Sequence, residues 1–199
     1  MIGLVAFSLI GVAVALGRGG SFAGWGKIHV YWSLVALGSL AVQLILYNHP
    51  TDHQAWAIAW GPLIWTACLA ALCVMLVRNA CASRLTRYAW ALAALGVGLN
   101  VLVVISNGGY MPQSDDARIA ARGGSLAVGE PSQPQLLNVV QMNADTRLSL
   151  LGDVIPEPAW FPKSNVISIG DLMLGSGLAW WAFLITASTA RRPARLEAS

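Results

Sequence analysis

Five apolar runs, separated by short polar turns and one long polar segment, limit what this chain can fold into. The runs cover residues 1–17, 30–47, 55–77, 88–105 and 169–189. Only 11% of the residues are charged and 56% are hydrophobic, whereas a soluble domain carries about 25% charged residues. Apolar runs near the length of about 20 residues that crosses a bilayer indicate membrane helices. The sequence predicts an all-α integral membrane protein, with a bundle of five transmembrane helices forming one domain over residues 1–199.

The positive charges follow every second run, which predicts an orientation. They lie after the first, third and fifth runs at Arg18 and Lys27, at Arg78, Arg84 and Arg87, and at Arg191, Arg192 and Arg195. Because Lys and Arg accumulate in cytoplasmic loops, the amino terminus is predicted outside and the carboxyl terminus in the cytoplasm. The basic residues sit in short turns and form no continuous basic face, so nucleic acid is not an expected partner.

The long polar segment, residues 107–168, is then an extracytoplasmic loop between the fourth and fifth spans. Ser114 followed by Asp115 and Asp116 predicts an N-cap with two acids in the first helical turn. We therefore expect a short surface helix from residue 115 to residue 122. Ser168 and Asp171 have the spacing of a capping box that opens the fifth helix.

Five short motifs follow one another along the chain. They are GRGG at residues 17–20, NGGYMP at 107–112, the pair DTR at 145–147 and LGDVIP at 151–156, and NVISIGD at 165–171. This order resembles an uncharacterised bacterial family of small five-span integral membrane proteins, classed as a domain of unknown function. The resemblance covers essentially the whole chain. It implies a bacterial plasma membrane and a shared architecture, and no established activity.

Polar residues at unusual places are the candidate site residues. Gln43 and Asn100 lie inside apolar runs, where a hydrogen bond to another helix or a place on a substrate path explains an amide. The ligand or structural-turn candidates are Asn107, Arg147 and Asp153 in the long loop and Asp171 at the start of the fifth run. Asp153 or Asp171 paired with Arg147 would form an ion pair or a small-ligand site. Alternatively, these motifs only hold the loop against the bundle.

Metal binding and catalysis have little support in the sequence. His49 and His53 are weak metal candidates, because they are four residues apart in a loop that contains Pro50. No HExxH motif and no nucleophile–base pattern is present. The sequence therefore assigns no catalytic residue and identifies no cofactor.

Three functions are compatible with these observations. The first is an accessory or scaffold subunit of a larger membrane assembly, with the bilayer and other membrane subunits as partners. The second is a carrier or binder of a lipid-like small molecule with the long loop as lid, which Gln43 and Asn100 facing one cavity would support. The third is a membrane enzyme using the outer carboxylates, which needs Asp153, Asp171 and a histidine to converge.

Overall fold

The computed structural model describes residues 2–46, 54–124, 138–162 and 164–188, which contain six α-helices and four short strands. The helices are α1 (Ile2–Gly17), α2 (Ser33–Leu46), α3 (Ala55–Ala82), α4 (Arg87–Ser106), α5 (Asp115–Ala121) and α6 (Ile169–Ala187). The strands are β1 (Met111–Gln113), β2 (Val139–Gln141), β3 (Ile155–Pro156) and β4 (Val166–Ile167). Two short 3-10 helices cover Phe22–Lys27 and Ser149–Leu151.

Three of the helices, α3, α4 and α6, are long and apolar enough to cross a membrane. This confirms the mostly helical, membrane-compatible character predicted from the apolar runs. The described parts of helices α1 and α2 have 16 and 14 residues. At about 1.5 Å per residue they reach about 24 and 21 Å, less than the roughly 30 Å of a hydrocarbon core. Five complete spans therefore remain a prediction.

Helix α6 is the centre of the bundle and packs against both α1 and α4. A Cβ added at Gly177 would lie 2.6 Å from the Ala89 carbonyl oxygen of α4, and one at Gly175 would lie 2.8 Å from the Phe7 ring of α1. Glycine at these positions lets the backbones approach closely, as in many membrane helix pairs. Helix α3 packs on α4, and α2 packs on α3. Successive long helices run in opposite directions, so the bundle has two distinct ends.

Two helix boundaries differ from the sequence prediction. Helix α3 continues to Ala82 rather than ending at residue 77, so Arg78 is a helical residue and not a loop residue. Helix α2 begins at Ser33 rather than at residue 30, because Trp32 has a left-handed φ of 57°. The Asn79 amide hydrogen-bonds the backbone N–H and C=O of Tyr31 at 2.9 and 3.0 Å. This contact holds the chain before α2 in a non-helical conformation.

The long polar segment contains strand pairs that the sequence analysis did not predict. β1 pairs with β2 in parallel, and β3 pairs with β4 in antiparallel fashion. The predicted short helix is present as α5, and its N-cap Ser114 accepts a hydrogen bond from the Ala117 backbone. Ala117 and Ala121 on its inner face pack against Val166 of β4. One face of α5 therefore contacts protein within the segment.

Candidate ligand-binding cavity

A cavity of about 340 Å³ lies where the helix bundle meets the polar segment. Its apolar wall comes mainly from the helices and includes Phe7, Trp65, Leu69, Leu72, Val97 and Leu174. Its polar wall comes mainly from the segment and from the start of α6, and consists of Gln43, Asn100, Gln113, Asn138, Asp153, Glu157, Asn165 and Asp171. The cavity is therefore amphipathic, with one apolar and one polar side.

Asn100 of α4 connects the bundle to the first turn of α6. Its side-chain N–H donates to Asp171 Oδ1 at 2.8 Å, and its Oδ1 accepts from the Ser168 hydroxyl at 2.9 Å. Ser168 and Asp171 also form the predicted capping box, because each side chain accepts a hydrogen bond from the backbone N–H of the other, at 3.0 and 3.1 Å. The three side chains thus hold one another in a closed network at the edge of the cavity.

The network is tightly packed as well as hydrogen-bonded. Ser168 is fully buried and Asn100 is 5% exposed. A Cβ added at Gly170 would collide with the Asn100 side-chain oxygen. Glycine at this position therefore allows Asn100 to reach the start of α6. A buried amide that satisfies both its donor and its acceptor groups is favourable, whereas an unsatisfied one would be costly.

Asp153 lies on the polar wall and is held by its backbone. Its N–H donates to the Pro112 carbonyl at 2.8 Å, and its carbonyl accepts from the Ser114 N–H at 2.9 Å. Its side chain is only 8% exposed. Burial raises the pKa of Asp153 well above 3.8, the charge of Asp171 raises it further, and a hydrogen bond from Gln113 opposes the shift. The charge of Asp171 therefore acts on Asp153 across this wall.

Asn107 has a structural role at the end of α4. Its side-chain N–H donates to the Val103 and Arg147 carbonyls at 2.8 and 2.9 Å, and its Oδ1 accepts from the Arg147 N–H at 3.0 Å. The Arg147 side chain is exposed. The pairing of Arg147 with Asp153 or Asp171 stays a prediction, because the contacts that the structure describes for Arg147 are those of its backbone with Asn107.

The candidate residues therefore divide into two groups. Gln43, Asn100, Asp153 and Asp171 line one cavity, although they are far apart in the sequence. Asn107 and Arg147 instead join the polar segment to α4, as described above.

The weak metal candidates fall elsewhere. His49 and His53 lie outside the described residues. Within the described ranges, no group of three or more His, Cys, Asp or Glu side chains is arranged to hold a metal ion.

Four polar residues of the cavity wall were not predicted as site residues: Gln113, Asn138, Glu157 and Asn165. A signal existed for three of them, since Gln113 and Glu157 directly follow the Pro that ends the NGGYMP and LGDVIP motifs, and Asn165 begins the NVISIGD motif. Asn138 comes into the cavity because Val139 pairs with Met111 across the parallel β1–β2 ladder. A pairing between residues so distant in sequence gives no local signal.

A second cavity of about 340 Å³ lies at the opposite end of the bundle. Its wall includes Asn79 and the rings of Trp90 and Trp181, whose centroids are 5.1 Å apart. Trp25 extends this cluster, with its ring 5.7 Å from that of Trp181. The described residues lining this cavity include no carboxylate.

The fold and the cavity define a class: a mostly helical protein with three helices long and apolar enough to span a membrane and an amphipathic cavity at one end of the bundle. Residues 27–183 match the family model described as Family of unknown function (DUF5317), and the chain belongs to that family. The predicted membership of an uncharacterised family is confirmed. The matched residues begin at Lys27, so the GRGG motif lies outside them. Neither a curated protein nor a solved structure matches the chain.

Proposed function

We propose that this protein binds, and carries or presents, an amphipathic small molecule in the cavity between the bundle and the polar segment. One observation carries the proposal: Gln43, Asn100, Asp153 and Asp171 line a single cavity that also has an apolar wall. The two intramembrane amides were the residues expected to face one cavity if the protein were a carrier.

The size and chemistry of the cavity support this function. Ligand sites are typically clefts of about 300–1,000 Å³, mostly apolar, with a few polar groups that orient the ligand. A hydrocarbon chain fits among Leu69, Leu72 and Leu174, and a head group fits beside Asp153 and Asp171. An amphipathic molecule makes favourable contacts with both walls, whereas a purely polar ligand would leave the apolar wall in contact with water.

The other two functions have weaker support. An accessory subunit that only packs against a larger assembly has no need of a buried carboxylate in an amphipathic cavity. An enzyme would use Asp153 and Asp171, which share the cavity, but no histidine lines it among the described residues. We therefore assign no reaction to this site.

We also propose that the protein spans a bacterial plasma membrane five times, with residues 107–168 outside and the carboxyl terminus inside. Arg18, Arg84 and Arg87 all lie at the end of the bundle opposite the polar segment, which supports this orientation. A cysteine introduced by Ala144→Cys should react with an impermeant thiol reagent on intact cells, and native Cys81 should react only after permeabilisation. Labelling of Cys81 on intact cells would reverse the orientation.

The binding function is tested by the molecules that remain bound after purification in a mild detergent. Leu72→Trp places a large ring at the apolar wall, and Val74→Trp is a matched control because Val74 of the same helix is 56% exposed. Mass spectrometry should find a retained amphiphile in the wild type and in Val74→Trp, and a strongly reduced amount in Leu72→Trp.

Thermal unfolding of each variant shows whether Leu72→Trp is folded. An equal amount of retained amphiphile in both folded variants would overturn the binding function. A stoichiometric partner protein with no retained amphiphile in the wild type would favour the accessory subunit instead.

A further inference from the structure

We infer that the cavity selects an amphipathic molecule with a cationic head group, such as a primary ammonium on a hydrocarbon chain. This inference rests on the proposed function and adds the chemical class of the ligand. It is carried by the charges of the polar wall, where three carboxylates face the same space as the apolar wall.

The three carboxylates come from different parts of the fold. Asp153 forms an isolated β-bridge with Gln113 of β1, Glu157 directly follows β3, and Asp171 lies in the first turn of α6. No lysine, arginine or histidine lines the cavity in the part of the chain that the structure describes. A cationic head would therefore meet attraction from three sides, and an anionic head would meet repulsion.

The carboxylates are already oriented by protein groups. Each Asp171 oxygen accepts one hydrogen bond, from Asn100 and from the Ser168 backbone. Glu157 Oε2 accepts from the Asn165 N–H at 3.0 Å. Because a carboxylate oxygen has two lone pairs, each of these oxygens keeps an acceptor site for a ligand. An ammonium group has three donors and no acceptor, which matches a wall of preoriented acceptors.

Asp153 is the carboxylate that most strongly favours a bound positive charge. Its side chain is 8% exposed and shares the wall with Asp171 and Glu157, which are the other titratable groups lining the cavity. A buried carboxylate is costly when ionised without a positive partner. A bound ammonium would supply that partner and favour the ionised form of Asp153, whose pKa is raised by burial and by the charge of Asp171. Binding of the cation should therefore weaken as the pH falls.

The test compares three amphiphiles with the same chain: dodecylamine, the neutral dodecyl glycerol ether and dodecanoate. Each competes with a photoreactive dodecyl glycerol ether for the purified protein at neutral pH. Dodecylamine should compete at about one tenth of the concentration that the neutral ether requires, or lower, the scale of a close buried charge pair. Dodecanoate should be the weakest competitor.

Two variants and one control identify the source of the preference. Asp153→Asn and Glu157→Gln each should reduce the preference for dodecylamine over the neutral ether several-fold. Asp116→Asn should leave it unchanged, because Asp116 is exposed on α5 and does not line the cavity. Thermal unfolding confirms that each variant is folded.

Equal competition by dodecylamine and the neutral ether in the wild type would overturn the cationic head while leaving the binding function intact. A preference for dodecylamine that persists in both Asp153→Asn and Glu157→Gln would also overturn the cationic head, since the preference would then not come from the carboxylates of the cavity wall. Failure of the photoreactive ether to label the cavity at all would contradict the proposed function itself.

Discussion

The two ends of the bundle are built with the same anchoring device but differ in charge. At one end Asn107 hydrogen-bonds the backbone N–H and C=O of Arg147 and the carbonyl of Val103. At the other end Asn79 hydrogen-bonds the backbone N–H and C=O of Tyr31 and the carbonyl of Met75. Each asparagine amide thus joins a neighbouring segment to a long helix. It also hydrogen-bonds the carbonyl one turn earlier in its own helix. Anchoring is therefore not what distinguishes the ends.

The difference lies in the cavities beside these anchors. The cavity near Asn107 has Asp153, Glu157 and Asp171 in its wall, whereas the cavity near Asn79 is lined by neutral polar groups, tryptophan rings and His29. Tryptophan stacking and the Arg78 guanidinium 4.3 Å from the Tyr31 ring centre stabilise the second end. Among the described residues, the carboxylate whose burial raises its pKa, Asp153, lies at the first end, and its ionisation costs stability. Such a cost is expected where a site has a function beyond stability.

The largest effect is expected for Asn79→Ala. Asn79 is 2% exposed, and its loss leaves the backbone N–H and C=O of Tyr31 without partners. Each unsatisfied buried group costs about 1–3 kcal/mol, so the folded state should lose about 3 kcal/mol in total. Thermal or denaturant unfolding in detergent measures this loss. A smaller loss of unfolding free energy in Asn79→Ala than in Asn107→Ala would contradict the expectation that the more deeply buried anchor contributes more.

Asn107→Ala should have an intermediate effect of about 1.5 kcal/mol, because three partly exposed hydrogen bonds contribute roughly 0.5 kcal/mol each. The Arg147 backbone should be released, and limited proteolysis should cut near residues 145–147 sooner than in the wild type. Asp145→Ala is a matched control, since the Asp145 side chain is exposed. Unchanged proteolysis in Asn107→Ala would show that other contacts hold this part of the segment.

Asp153→Asn should have the smallest effect on stability and the opposite sign. The folded protein holds the Asp153 proton more tightly than the unfolded chain, because the pKa is raised above 3.8. Ionisation therefore costs stability as the pH rises above that value through the raised pKa. At about pH 8 the asparagine variant should be more stable by roughly 1 kcal/mol, at the low end of the gain from removing a buried charge.

Measuring the Asp153→Asn variant and the wild type at low pH provides the control. The difference between Asp153→Asn and the wild type should vanish below about pH 3, where the wild-type carboxyl is largely protonated in both the folded and the unfolded state. A stability difference that does not change with pH would show that ionisation of the buried Asp153 carboxyl does not cost stability.

The sequence predicted the local elements well and the cavity poorly, for physical reasons. Apolar runs identified the long helices, and the Ser114 and Ser168 patterns identified the starts of α5 and α6, because capping depends on residues within one turn. Gln43 and Asp153 were both singled out, but nothing local indicated that they share a wall. The strand pairs escaped prediction because each has only two or three residues and its partner is distant in the chain.

The most direct test of the central claim locates a bound amphiphile by photolabelling. A dodecyl glycerol ether with a diazirine near the chain end should label the apolar wall, at positions such as Leu69, Leu72 and Leu174. An excess of the ether without the diazirine should suppress this labelling, and Leu72→Trp should abolish it. Labelling confined to outward-facing residues such as Leu95 and Leu102, which are 54% and 51% exposed, and insensitive to competition, would contradict the account.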